Sequence, residues 1–197
     1  NGNFMANTYV PDGGVSVSIQ AVDLAGFGGD VKYLRTKLSA AYYKPLLFES
    51  VVLGVSGKLG YVTGLGDKVT QSQRFNLGGR DIRGFGSGGI GPRDTGSSDA
   101  VGGNKMYAGS FEVVSNLGLN KDTGFRWTVF TDFGSLWGTD YPSGVTKPNA
   151  AQIRVSAGVG VFWSTAIGPL SFSWAKPMSK MAHDAPKTFQ FKIGARL

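Results

Sequence analysis

The residues in this chain best suited to chemistry are one arginine, Arg83, and two carboxylates, Glu112 and Asp132. Arg83 lies in the stretch 75–94, FNLGGRDIRGFGSGGIGPRD, whose kernel is Ile82-Arg83-Gly84-Phe85. Glycine is disfavoured inside helices and strands and serves where backbone turns tightly or meets other backbone. The stretch therefore reads as a long loop. A flexible linker would pair glycine with serine, not with Ile82, Phe85 and Ile90 beside Arg80, Arg83 and Arg93. The loop is expected to fold onto something, and Arg83 is the group that needs a partner. A planar guanidinium binds carboxylates through paired hydrogen bonds, and Glu112 and Asp132 lie on the next two segments of alternating pattern. The chemistry on offer is a non-covalent clasp. The other reading is of ordinary acids balancing bases in a wet interior.

Other constellations fall short of catalysis. Gly84, Gly86 and Gly89 satisfy G-x-G-x-x-G, but that fingerprint needs a helix after it and none follows. Ser87 lacks a nucleophile-elbow context, and the one histidine, His183, reads as a solvated loop residue beside Asp184. With no cysteine there is neither a disulfide nor a thiolate metal site, and no metal-ligand spacing occurs. The expectation is a protein that is not an enzyme, with no cofactor and no metal.

The elements that must hold these residues are strands. Val15, Val17, Ile19 and Ala21 alternate with polar residues, as do Leu34, Leu38, Ala40 and Tyr42. The same period of two runs through Val51 to Tyr61, Tyr107 to Val114, Phe125 to Gly134, Ile153 to Trp163, Leu170 to Ala175 and Phe189 to Leu197. Phe4 to Val10 looks like the end of an earlier strand. That makes eight strands and part of a ninth. Most are longer than the ~5–6 residues usual in soluble proteins and suit the ~9–11 residues of a tilted membrane strand. Connections after Lys44, Leu117 and Ser164 are short and those after Tyr61, Trp137 and Lys176 are long, the rim asymmetry of outer-membrane barrels. Tyr42, Tyr61, Trp127, Trp137, Trp163 and Trp174 are expected near strand ends as an interfacial girdle. The fold class is all-β, an antiparallel transmembrane β-sheet in a lipid bilayer, either closed as a β-barrel or open as part of a larger one.

Composition agrees. Charged residues make up only 17% of the chain and the 31 glycines are abundant. The net charge of +7 would fit nucleic acid, but Arg35, Lys37, Lys58, Arg126, Arg154, Lys192 and Arg196 fall on the polar face of strands. A basic lumen accounts for them, and no nucleic-acid partner is expected. Strand parity puts Glu112 and Asp132 in that lumen too. The start Asn1-Gly2-Asn3 has no initiator methionine, so either a signal has been removed or the chain is internal to a longer one.

At this level of detail the sequence resembles a known superfamily, that of the outer-membrane assembly factors BamA and TamA and the two-partner secretion transporters. Ile82-Arg83-Gly84-Phe85 is similar to the (V/I)RG(F/Y) motif of the family's long sixth extracellular loop, here 62–104. Ile90-Gly91-Pro92, Gly102-Gly103-Asn104, Asp132-Phe133-Gly134, Ser156-Ala157-Gly158, Gly168-Pro169-Leu170 and Phe189-Gln190-Phe191-Lys192-Ile193-Gly194 follow in the family's order. The resemblance implies the last eight strands of a sixteen-stranded barrel in the outer membrane of a Gram-negative bacterium, with the first half and the periplasmic POTRA domains outside this chain. It implies non-covalent insertion of unfolded outer-membrane proteins by strand augmentation at a seam between first and last strands, with accessory lipoproteins as partners. Arg83 would be held inside by Glu112 and Asp132. Phe189, Phe191, Gly194 and Leu197 would belong to the seam strand, Gly194 at its inward kink, and Leu197 stands where the family ends on Phe or Trp. A two-partner secretion transporter and a passive outer-membrane channel are the alternative functions.

Overall fold

In a computed structural model of the chain the residues described are 4–5, 14–25, 33–47, 51–116, 124–140, 144–145, 151–165 and 168–193. The strands are β1 (Phe4–Met5), β2 (Gly14–Ala25), β3 (Tyr33–Leu47), β4 (Val51–Gly64), β5 (Gly84–Phe85), β6 (Lys105–Ser115), β7 (Phe125–Trp137), β8 (Arg154–Thr165), β9 (Gly168–Ser179), β10 (Pro186–Lys187) and β11 (Phe189–Ile193). Nine of them form one antiparallel sheet in the order β1-β2-β3-β4-β6-β7-β8-β9-β11, and β5 and β10 pair separately. Every neighbour in the large sheet follows its predecessor in sequence, apart from the two short strands lodged in loops. The sheet is open: among the described residues its end strands do not pair with each other. The regular helical structure among the described residues is one 3-10 turn, Gln71–Gln73, and no helix is long and apolar enough to cross a membrane.

Period-2 alternation gives the sheet two unlike faces. On the outer face Leu38, Leu59, Phe111, Val129, Val159, Phe191 and Ile193 are exposed. Aromatic pairs reinforce that face across strands, with Phe125 stacked on Trp163 at 4.8 Å and Phe172 against Phe191 at 4.9 Å. The inner face carries polar side chains and the buried core. Val62, Met106, Ala108 and Leu136 from the strands pack with Val69, Phe75, Leu77, Ile82, Phe85 and Ile90 from the loop after β4. Each such side chain, fully buried, contributes roughly 1.5–3 kcal/mol. The apolar core thus lies between sheet and loop, and the sheet's other apolar face is left for lipid.

Three expectations about elements need correction. β4 runs to Gly64, because Thr63 and Gly64 continue the ladder opposite Leu34 and Tyr33, so the long loop begins at 65 and not at 62. Trp174 sits in the middle of β9, opposite Val159 and Phe189, not at a strand end. The turn at Gly168-Pro169 begins β9 earlier than the alternation alone suggests. Gly194 and Leu197, assigned to the seam strand, lie outside the described residues.

Candidate functional site: a clasped loop on the inner face

The loop 65–104 is an ordered body. Phe75 pairs with Gly103, Leu77 with Ile90 and Arg93 with Ala100 in isolated bridges. The buried Arg74 donates to the carbonyls of Val69 and Val101. Asp140, after β7, accepts from Val69 N at 2.7 Å and from Asn104 Nδ2 at 3.1 Å. At the tip, Asp94 accepts from the backbone N–H groups of Gly96 and Ser97, which holds its carboxyl below the usual carboxylate range.

The kernel Ile82-Arg83-Gly84-Phe85 turns toward the sheet. Ile82 and Phe85 are fully buried, and Ile82 is seated over Gly134, where a Cβ would come within 2.7 Å of its Cδ1. Between them Arg83 reaches the acids. Its Nε and Nη2 donate to Asp132 Oδ2 and Oδ1, both at 2.8 Å, and its backbone N–H donates to Asp132 Oδ2 at 2.9 Å. Nη1 donates to Glu112 Oε2 at 3.2 Å, and Nη2 also to Ser110 Oγ at 3.0 Å. Ser110 Oγ in turn donates to Asp132 Oδ1 at 2.6 Å. The guanidinium carbon stands 3.4 Å from the centroid of the Phe130 ring, a stacking that lysine would not reproduce. The Ser156 hydroxyl donates to the Arg83 carbonyl. Asp132 is 1% exposed while Glu112 is 26% exposed, so Asp132 is the main anchor and Glu112 the wetter flank. Burial opposes the guanidinium's charge, but hydrogen bonding and the charge of Asp132, with Glu112, more than offset it and hold the Arg83 pKa above the ordinary arginine value.

The geometry brings Arg83, Glu112 and Asp132 together, with Ile82, Gly84 and Phe85 packed around them. Phe189 and Phe191 are elsewhere, on the outward face of β11. Sequence reasoning missed four partners. Ser110 and Phe130 were open to it, since Ser110 is the register partner of Asp132 and Phe130 of Glu112. Lys58, which binds Asp81, sits on the inner face of β4. The fourth is Asp184. His183 is half-buried, and Asp184 beside it is buried. Arg154 donates to Asp184 through Nε at 3.0 Å and Nη2 at 3.1 Å, with both side chains almost fully buried.

This arrangement holds charge and shape on the inner face. Among the described residues no group of three or more His, Cys, Asp or Glu is placed to hold a metal ion. A long-stranded antiparallel sheet, apolar outside, with an arginine-clasped loop filling its inner face, defines an outer-membrane β-barrel domain. The match to a family model, the Omp85 superfamily domain, covers residues 3–197, and the chain belongs to that superfamily. It is 33% identical over 97% of its length to an outer membrane protein assembly factor BamA from Neorickettsia risticii, and 28% identical over 85% to one from Neisseria meningitidis. It spans about a quarter of those relatives, 26% and 24%. A crystal structure of BamA from Haemophilus ducreyi lacking POTRA domains 1–3 superposes with a TM-score of 0.79 at 31% identity, covering 96% of this chain and 40% of that one. The domain resides in the outer membrane of a Gram-negative bacterium.

Proposed function

We propose that this chain is the C-terminal half of the barrel of an outer-membrane protein insertase, working without covalent chemistry. The observation that carries the reading is the match, through nearly the whole chain, to relatives named as outer membrane protein assembly factors. The geometry is compatible with it. β11 ends the sheet with one edge unpaired among the described residues. Such an edge presents a row of N–H and C=O groups that a client strand can satisfy. Unfolded outer-membrane proteins are the clients. Lipid next to a short, weakly paired seam thins and lowers the barrier to entry. Gly194 and Leu197 would complete the seam strand, and POTRA domains before the barrel would recruit accessory lipoproteins. The protein is not an enzyme, and Arg83 acts by keeping the loop docked.

The test is insertion of an unfolded outer-membrane protein into liposomes by the full-length parent. Arg83→Ala leaves Asp132 buried without its partner, a defect of about 3–5 kcal/mol, and insertion is expected to slow at least about tenfold. Ion conductance with no acceleration of insertion by the wild type would sink the reading in favour of a channel or secretion pore.

A further inference from the structure

Among the described residues, the ladder that joins the last strand to β9 is shorter than the one that joins β9 to β8. β11 pairs with β9 over Phe189↔Trp174 to Ile193↔Leu170, whereas β9 continues to Ser179 and pairs with β8 along that length. Phe189, Phe191 and Ile193 point outward and are exposed, and Gln190 is the one buried residue of the strand. The Gln190 Nε2 donates to the carbonyl of Phe85 at 2.7 Å. That carbonyl belongs to the loop, two residues beyond Arg83.

The segment leading into β11 rests on the same loop. Gly86 N donates to Ala185 O and Ala185 N to Gly89 O, each at 2.9 Å, and Pro186 and Lys187 pair with Phe85 and Gly84. Asp184, just before, is gripped by Arg154 of β8. The chain therefore enters its final strand from a platform that the clasped loop provides. Gln190 hangs the strand from that platform. Its Oε1 is buried with no hydrogen-bond partner, so one end of the carboxamide is satisfied and the other is not. A buried polar group left unpaired offsets much of what its neighbour's bond contributes.

We propose that Gln190 is a positioning residue for insertion: through the Phe85 carbonyl it fixes the free edge of the last strand to the Arg83-clasped loop, so that seam and loop move together. This rests on the insertase reading but is testable apart from it. The 197 residues contain no cysteine, so spin labels attach within them only where cysteine is introduced. Labels at Ile193 and at Val159 on β8, in full-length protein in liposomes without client, report where the strand edge lies. Gln190→Ala is expected to broaden that distance distribution and to speed amide exchange in β11 by about 3- to 10-fold, the weight of one net buried hydrogen bond. Insertion rate is expected to change at least about threefold. Arg83→Ala should broaden the same distribution, and Leu59→Ala on the outer face of β4 should not. Gln190→Glu keeps the shape and removes the donated proton. It carries the same expectation and is the variant to read if the alanine one does not fold. Wild-type distances and exchange in the folded Gln190 variants overturn the proposal, even if Arg83→Ala abolishes insertion. If the wild type inserts nothing, the insertase reading falls, and the distance and exchange measurements still decide the latch.

Discussion

All three nitrogens of the Arg83 guanidinium donate, and the count of donors matters as much as the charge. Asp132 takes two side-chain donors and the backbone N–H, Glu112 and Ser110 take one each, and Phe130 covers the flat face. A lysine would keep the charge and lose the fork and the stacking. Arg83→Lys is therefore expected to behave much like Arg83→Ala and not like wild type, with docking weakened by about 2–3 kcal/mol, read as faster tryptic cleavage of the loop in folded protein. Because the Arg83 pKa is raised, its stabilising charge is fully present below the ordinary arginine value and is lost only as pH climbs through the raised one. Its own titration gives the clasp no pH dependence in the acid-to-neutral range. The three charged members of this site were legible because strand parity left Glu112 and Asp132 no other face. Asp184 was not. Its partner Arg154 is thirty residues away across two loops, and nothing in alternation says which loop carboxylate folds inward.

At the scale of elements, the loop is fastened to five strands of the wall. Lys58 of β4 binds Asp81, Glu112 and Ser110 of β6 and Asp132 of β7 bind Arg83, Ser156 of β8 binds its carbonyl, and Gln190 of β11 binds Phe85. Gly84 makes this possible. Its φ is 90°, and a Cβ there would stand 3.2 Å from the Ser156 Cβ and 3.3 Å from the Ala175 Cβ. Gly84→Ala is expected to weaken docking by about 1–3 kcal/mol through backbone strain and crowding together. The loop should then be cut by trypsin at Arg80 or Arg93 about tenfold faster or more, with the strands still folded. The strands were legible because their period is simple and unbroken. β5 and β10 were not, since two-residue pairs inside glycine- and proline-bearing loops carry no alternation to read. The early end given to β4 has a related cause: Gly60, Thr63 and Gly64 look like turn residues, yet the ladder to β3 carries through them.

The molecule as a whole is inverted relative to a water-soluble protein, with its apolar strand faces turned outward and its core on the inner side under the loop. Trp163 and Trp174 stand on the outer face, 37% and 46% exposed. Their fluorescence in liposomes should be quenched strongly when the lipid chains carry bromine, and quenching no greater than that of a soluble tryptophan would contradict a lipid-facing sheet. Membership of a barrel could be read from strand length and rim asymmetry, but the open sheet could not, because alternation is the same whether the end strands meet each other or other strands. The position of the core has a further consequence. All of its fully buried members fall between Val62 and Leu136, with Tyr33 at the margin. Three neighbouring strands and the loop that joins two of them make a nucleus that is nearly continuous in sequence and takes none of its fully buried apolar members from the sheet's end strands. Local opening takes place where buried contacts are few, and here that is the edge at β11. On the proposed insertase reading, opening at that edge leaves these strands and the apolar core of the loop folded, and the Gln190 bond to the Phe85 carbonyl is the link through which the loop feels it.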